Sequence, residues 1–86
     1  LLISVSLAEA ERLFRNGSRE ASLIQREVER ILKSKEGIEI EYVSIADPET
    51  LEDVEQIKGR ALVAIACHVG KTRLIDNTVL TEEQNA

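Results

Sequence analysis

The stretch RALVAIACHVGKTRLIDN, residues 60–77, decides the fold of this 86-residue chain. Its first ten residues are apolar on both alternating sets of positions, which is typical of a central strand. Gly70-Lys71 interrupts the apolar run, and a two-residue type II′ hairpin turn requires glycine at its first central position. We therefore predict a strand over 60–69, a tight turn, and a returning strand over 72–77.

Gly70-Lys71-Thr72 also matches the end of the phosphate-binding loop pattern, which is Gly, four residues, then Gly-Lys-Ser/Thr. The first glycine of that pattern would fall at position 65, where the chain has Ile65. The pattern also needs a helix after the loop, whereas the residues after Thr72 read as a strand. The sequence therefore favours a hairpin turn over a nucleotide-binding loop.

The hairpin turn predicts the register of the two strands, which pairs Val69 with Thr72, His68 with Arg73, Cys67 with Leu74 and Ala66 with Ile75. One sheet face then carries bulky side chains suited to a core under helices: Val63, Ile65, Cys67, Val69 and Leu74. The other face is small and apolar, and it carries Leu62, Ala64, Ala66 and Ile75. We predict that this second face docks against another part of the polypeptide or a second copy. Cover by the helices or the tail is the alternative.

Upstream of the hairpin, apolar residues recur at steps of three and four, which predicts two antiparallel amphipathic helices. The first helix carries Ile3, Leu7, Ala10 and Phe14, and the second carries Ala21, Ile24, Val28 and Ile31. We expect Asn16-Gly17 to end the first helix and Ser18 to cap the second, which closes near Gly37.

Between the helices and the hairpin, IEIEYVSIA (38–46) alternates Ile38, Ile40 and Tyr42 against Glu39 and Glu41, which predicts a half-buried strand. Asp47-Pro48 suits the start of a short helical turn through Leu51 and Val54. The predicted fold class is α+β, with two antiparallel helices followed by a three-stranded antiparallel sheet. We expect one domain over 1–80 and a flexible tail over 81–86.

Composition and charge restrict the class of partner. The net charge is −5, with one Tyr, one Phe and no Trp, which argues against nucleic-acid binding. No apolar run approaches the ~18 residues of a membrane span. The single Cys67 cannot form an internal disulfide, which fits a reducing compartment. Because the chain has no Met, even at position 1, we expect it to be a fragment of a longer protein.

Residues 57–75 form a local basic stretch that contains no Asp or Glu. His68, Lys71 and Arg73 are close enough along the hairpin to cluster, whereas Arg60 is eight strand residues, or roughly 26 Å, from His68. These three are candidate interface residues, and ordinary solvated surface is the alternative. We assign no catalytic, cofactor-binding or metal-ligating residue. Adjacent strand residues such as Cys67 and His68 point to opposite faces, and the carboxylates show no paired spacing.

Two segments, EYVSIADPETL (41–51) and GRALVAIACHVGKTRLIDN (59–77), resemble the C-terminal domain of the pantoate–β-alanine ligase (pantothenate synthetase) family. That family typically shows a strand leading to Asp-Pro, then Gly and an Ala-Leu-rich strand, then Gly-x-Thr-Arg-Leu-Ile-Asp-Asn near the chain end. The matching positions here are Asp47-Pro48, Gly59, Ala61-Leu62, Gly70 and 72–77. The closing motif is the most distinctive part of the resemblance.

The resemblance implies a cytoplasmic enzyme that joins pantoate to β-alanine, using ATP and Mg²⁺, through a pantoyl-adenylate. It places the ATP-contacting motifs in a missing N-terminal domain and at its junction, so we expect these 86 residues to bind no cofactor and to be inactive alone. The full enzyme is implied to be a homodimer.

The same resemblance implies that this domain is a lid over the active site, with His68, Lys71 and Arg73 as candidate lid-facing residues. The alternative is a non-enzymatic interaction or dimerisation module that pairs through its sheet face. A third reading is a small nucleotide-binding regulatory domain that uses the same three residues.

Overall fold

The computed structural model describes residues 1–82 and confirms the α+β class. Two helices come first, and three strands follow. Their bounds are α1 Leu2–Arg15, α2 Ala21–Lys33, β1 Ile38–Ala46, β2 Arg60–Val69 and β3 Thr72–Thr81. The sheet order is β1-β2-β3 and both pairs are antiparallel, so β2 is central as predicted.

The helices bury the predicted stripes with one exception. In α1, Ile3, Leu7, Ala10 and Phe14 are all buried. In α2 the last buried member is Leu32, one helical step of four beyond Val28, whereas Ile31 is only half-buried. The predicted place of Ile31 in the core stripe is therefore wrong by one position.

The predicted cap of α2 is also wrong. The helix begins at Ala21, and its capping position is Glu20, whose side chain makes no capping hydrogen bond. Instead, the N–H of Ala21 donates to the carbonyl of Glu55 at 2.9 Å. A helix end needs acceptors for its first N–H groups. Here the backbone carbonyl of a residue far along the chain accepts one of these hydrogen bonds. The sequence around Ser18 gives no sign of that partner.

A β-bulge in β1 changes which face Tyr42 occupies. Ile40 lies opposite Cys67 and Tyr42 lies opposite Ala66, so Glu41 is an extra residue in the strand. A bulge shifts the alternation of side chains by one position. Tyr42 therefore leaves the face of Ile40 and is exposed, and Val43 points inward and is buried. The prediction that Tyr42 shares a face with Ile40 is wrong for this reason.

The predicted helical turn after β1 is present only as a single turn. The Oδ1 atom of Asp47 accepts hydrogen bonds from the N–H groups of Glu49 and Thr50, at 2.7 and 3.0 Å. Leu51 then takes a positive φ of 64° and ends the turn. Val54 lies beyond it in an extended segment, where its N–H donates to the carbonyl of Ile45. The turn therefore does not run through Val54.

The hairpin has the predicted register along its whole length. Gly70 has φ 63°, and Leu51 is the one non-glycine residue at positive φ in the described chain, so Lys71 keeps a negative φ. That combination fits a type II′ turn. The turn joins β2 directly to β3 rather than to a helix, so the phosphate-loop geometry is not built here.

Strand β3 continues to Thr81, beyond the predicted end at 77. Thr81 lies opposite Arg60. The N–H of Glu82 donates to the carbonyl of Gly59, and the Glu82 carboxylate lies 2.9 Å from Nε of Arg19. The predicted tail, 81–86, thus starts at residues that make these contacts, and its remaining part, 83–86, lies outside the described residues.

The core lies between the helices and one face of the sheet. The inward residues of β2 are completely buried: Ala61, Val63, Ile65 and Cys67. Val69 was expected to join them, but it is the last residue of β2 and is 42% exposed. The opposite face leaves Tyr42, Ile75 and Val79 exposed. The predicted docking role of that face stays a prediction.

Candidate functional site

A polar cluster lies at the hairpin end of the sheet. The guanidinium of Arg73 on β3 donates two hydrogen bonds to the Glu41 carboxylate on β1, at 2.8 and 3.1 Å. Nε2 of His68, on the central strand, lies 3.2 Å from the same carboxylate. Each strand therefore contributes one side chain to the cluster.

The three candidate interface residues predicted from the sequence are only partly brought together in the structure. His68 and Arg73 do come together, whereas Lys71 is exposed in the turn and makes no ion pair within residues 1–82. The residue that sequence reasoning missed is Glu41. The sequence predicted a register only for the hairpin, so it gave no partner on β2 or β3 for Glu41. An isolated Arg facing a His across the hairpin was the available hint of a missing acid.

The cluster's electrostatics follow from the Arg73–Glu41 pair. Hydrogen bonds from Arg73 hold the pKa of the Glu41 carboxyl below its ordinary value, and His68 adds to this effect. The same pair raises the pKa of the Arg73 guanidinium. A bidentate Arg–carboxylate pair also fixes the relative geometry of its two side chains. Arg73 is thus held by a partner of opposite charge, which leaves Lys71 as the exposed cation of the turn.

Replacing Arg73 with glutamine should raise the pKa of Glu41 towards its ordinary value. Because the folded-state pKa of Glu41 is depressed, its contribution to stability is present above the unfolded pKa and is lost as the pH falls through the folded pKa. The variant should therefore lose less stability on acidification than the parent. Carboxyl carbon NMR titration would measure the pKa directly.

The matched control is Arg12→Gln, because Arg12 makes a similar two-bond pair with Glu9 and lowers its pKa. The control should raise the pKa of Glu9 and leave that of Glu41 unchanged. An unchanged Glu41 pKa in the Arg73→Gln variant would show that the pair has no electrostatic effect.

An apolar cleft of about 410 Å³ opens at the same end of the sheet, between the start of α1 and the hairpin. Leu2 and Ile3 form its helix side, and Ile38, Val69 and Leu74 form its strand side. Cys67 borders the cleft, but its side chain is completely buried. Burial raises the pKa of the Cys67 thiol, which keeps it protonated and unreactive at neutral pH.

A second cleft, of about 670 Å³, runs along the free edge of β1. Its lining is more polar and includes Gln25, Ser44, Asp53 and Glu55. Gln25 donates from its side chain to the carbonyl of Val43 at 2.6 Å, which covers part of the exposed strand edge. In residues 1–82, no three His, Cys, Asp or Glu side chains are grouped to hold a metal ion. No helix in that range is long and apolar enough to cross a membrane.

Comparison with known proteins agrees with this fold. The model of the Pantoate-beta-alanine ligase family matches residues 1–79. The chain belongs to the pantoate–β-alanine ligase family. The resemblance expected from the Asp-Pro and Thr-Arg-Leu-Ile-Asp-Asn motifs is thereby confirmed.

Relatives within this family share much of the sequence. Pantothenate synthetase from Thermoanaerobacter sp. (strain X514) is 49% identical over 82 residues, which is 95% of this chain and 29% of the relative. The enzyme of that name from Pseudothermotoga lettingae is 46% identical over 82 residues, with the same coverage. The chain therefore spans about 29% of the length of these relatives.

A solved structure shows the same fold. The crystal structure of pantothenate synthetase from Thermus thermophilus superposes with a TM-score of 0.81 at 25% identity. The match covers 90% of this chain and 28% of the Thermus chain. The two helices and the three-stranded sheet thus correspond to one part of a larger family member.

Proposed function

We propose that this chain is the C-terminal lid domain of a cytoplasmic, ATP-dependent ligase that condenses pantoate with β-alanine through a pantoyl-adenylate. The family match over residues 1–79 carries the proposal, together with the 29% share of the relatives' length. On this proposal, an N-terminal nucleotide-binding domain holds ATP and Mg²⁺ and forms the homodimer.

The role of the lid is physical rather than covalent. The thiol of Cys67 is buried, and the Gly70-Lys71 turn joins two strands, so neither feature offers a nucleophile or a phosphate cradle. A lid can instead exclude water from a reactive acyl-adenylate, so that the amine attacks it before hydrolysis does. His68, Lys71 and Arg73 are the candidate lid-facing residues, and Glu41 orients two of them. A non-enzymatic interaction module, the alternative, is less favoured because the relatives are named pantothenate synthetases.

The test is a ligation assay on two proteins, the full-length protein and residues 1–86 alone. Each is supplied with pantoate, β-alanine, ATP and Mg²⁺, and pantothenate is measured by mass spectrometry. The full-length protein should form pantothenate and the 86 residues should form none. Turnover by the 86 residues, or a folded full-length protein without ligase activity, would contradict the proposal.

A further inference from the structure

The end of the domain near the hairpin turn carries a patch of uncovered apolar side chains. We define the hairpin-end patch as Leu1, Leu2, Ile38, Val69 and Leu74, which all line the 410 Å³ cleft. Val69, at the end of β2, is 42% exposed, and Leu2, Ile38 and Leu74 are half-buried. A contiguous apolar patch of this kind is typical of a surface that contacts another protein segment.

Polar residues surround the patch. Ser4, Lys35, Glu36, Thr72 and Asp76 line the same cleft. The Glu41–His68–Arg73 cluster lies at the same end of the sheet but on its other face, because the His68–Arg73 pair alternates with the Cys67–Leu74 and Val69–Thr72 pairs. An apolar centre with a polar rim is the usual anatomy of a protein interface. Both of these features favour a specific contact over a random exposed surface.

The position of Leu1 indicates what covers the patch. Leu1 directly precedes α1 and is itself part of the patch, so any residue before it emerges at the edge of the cleft. The chain spans 29% of the length of its relatives, which leaves most of their length outside it. If the chain is C-terminal, that remaining part precedes Leu1 and begins beside the patch.

We infer that, in the full-length protein, the hairpin-end patch is the docking surface for the part of the same polypeptide that precedes Leu1. This inference rests on the proposed C-terminal position of the chain. Docking at this end would also bring the hairpin turn with Lys71 close to the preceding domain. The domain would then present this end, and not the start of α2, to the rest of the enzyme.

Thiol labelling of the full-length protein tests this contact. Val69→Cys places a probe in the patch, and Leu23→Cys places a matched control on α2, where Leu23 is 36% exposed. Labelling by a water-soluble maleimide is measured by mass spectrometry of the peptide that carries each new cysteine. The Val69→Cys thiol should react at least about tenfold more slowly than the Leu23→Cys thiol, because a covered thiol reacts only when the contact opens.

Four outcomes would overturn the inference. The first is equal labelling of both sites, which in the purified protein would point to a different protein as partner, and the second is protection of both sites. The third is protection of Val69→Cys that disappears on dilution, which would indicate a second copy as the occupant, and the fourth is a full-length protein whose additional residues follow position 86. Equal labelling in an active ligase would overturn the contact alone. Protection in an inactive protein would support the contact while contradicting the proposed function.

Discussion

Replacing Ile65 with alanine is expected to lower the free energy of unfolding by about 2–5 kcal/mol. Ile65 lies in the middle of the central strand, is completely buried, and pairs with Val43 on β1 and Asp76 on β3. The substitution removes three carbon atoms from a site that the neighbouring strands and helices cannot easily close. Because small domains are stable by only about 5–15 kcal/mol, the loss is a large fraction of the total.

Urea unfolding followed by circular dichroism would measure this effect. The matched control is Ile75→Ala, because Ile75 is the same residue type on the adjacent strand but is 56% exposed. The control should change the free energy of unfolding by less than about 1 kcal/mol, as is usual for surface sites. Equal losses in the two variants would show that the core does not lie on the predicted face of the sheet.

Local sequence signals were sufficient for most of the fold. The bounds of β1 and β2 match the predicted 38–46 and 60–69, because apolar pattern and the Gly70-Lys71 turn mark them directly. The buried face of α1 was also predicted correctly, because the spacing of its apolar residues in the sequence marks that face directly. Each of these features depends on residues close together in the chain.

The errors arise where distant segments decide the local structure. Ser18 is a good capping residue in isolation, but the N–H of Ala21 is satisfied by Glu55, more than thirty positions along the chain. The alternation in β1 is regular by sequence, but the bulge between Ile40 and Tyr42 is visible only in the pairing with β2. Neither partner can be identified from the nearby residues.

The candidate site was likewise predictable only where it depends on residues close together in the chain. The hairpin register placed His68 opposite Arg73, and the structure has that pairing. Glu41 was missed because the sequence predicted no register between β1 and β2, so nothing placed it near Arg73. Family membership, in contrast, was visible in the short motif from Thr72 to Asn77, which the sequence shows regardless of how the chain folds.

If the proposed function holds, the second large effect is expected on removing residues 1–86 from the full-length protein. A version that ends before Leu1 should still bind ATP and form acyl-adenylate, but water should reach that intermediate. Every adenylate that forms eventually releases AMP, whether the amine or water attacks it. The ratio of pantothenate to AMP therefore reports how well the active site excludes water.

That ratio tests the lid role most directly. We predict a ratio near one for the full-length protein and a several-fold lower ratio for the version without residues 1–86, with AMP still produced. Circular dichroism and ATP binding would establish that the shortened protein is folded. A folded, ATP-binding shortened protein that retains the full ratio and rate of pantothenate formation would contradict the lid role.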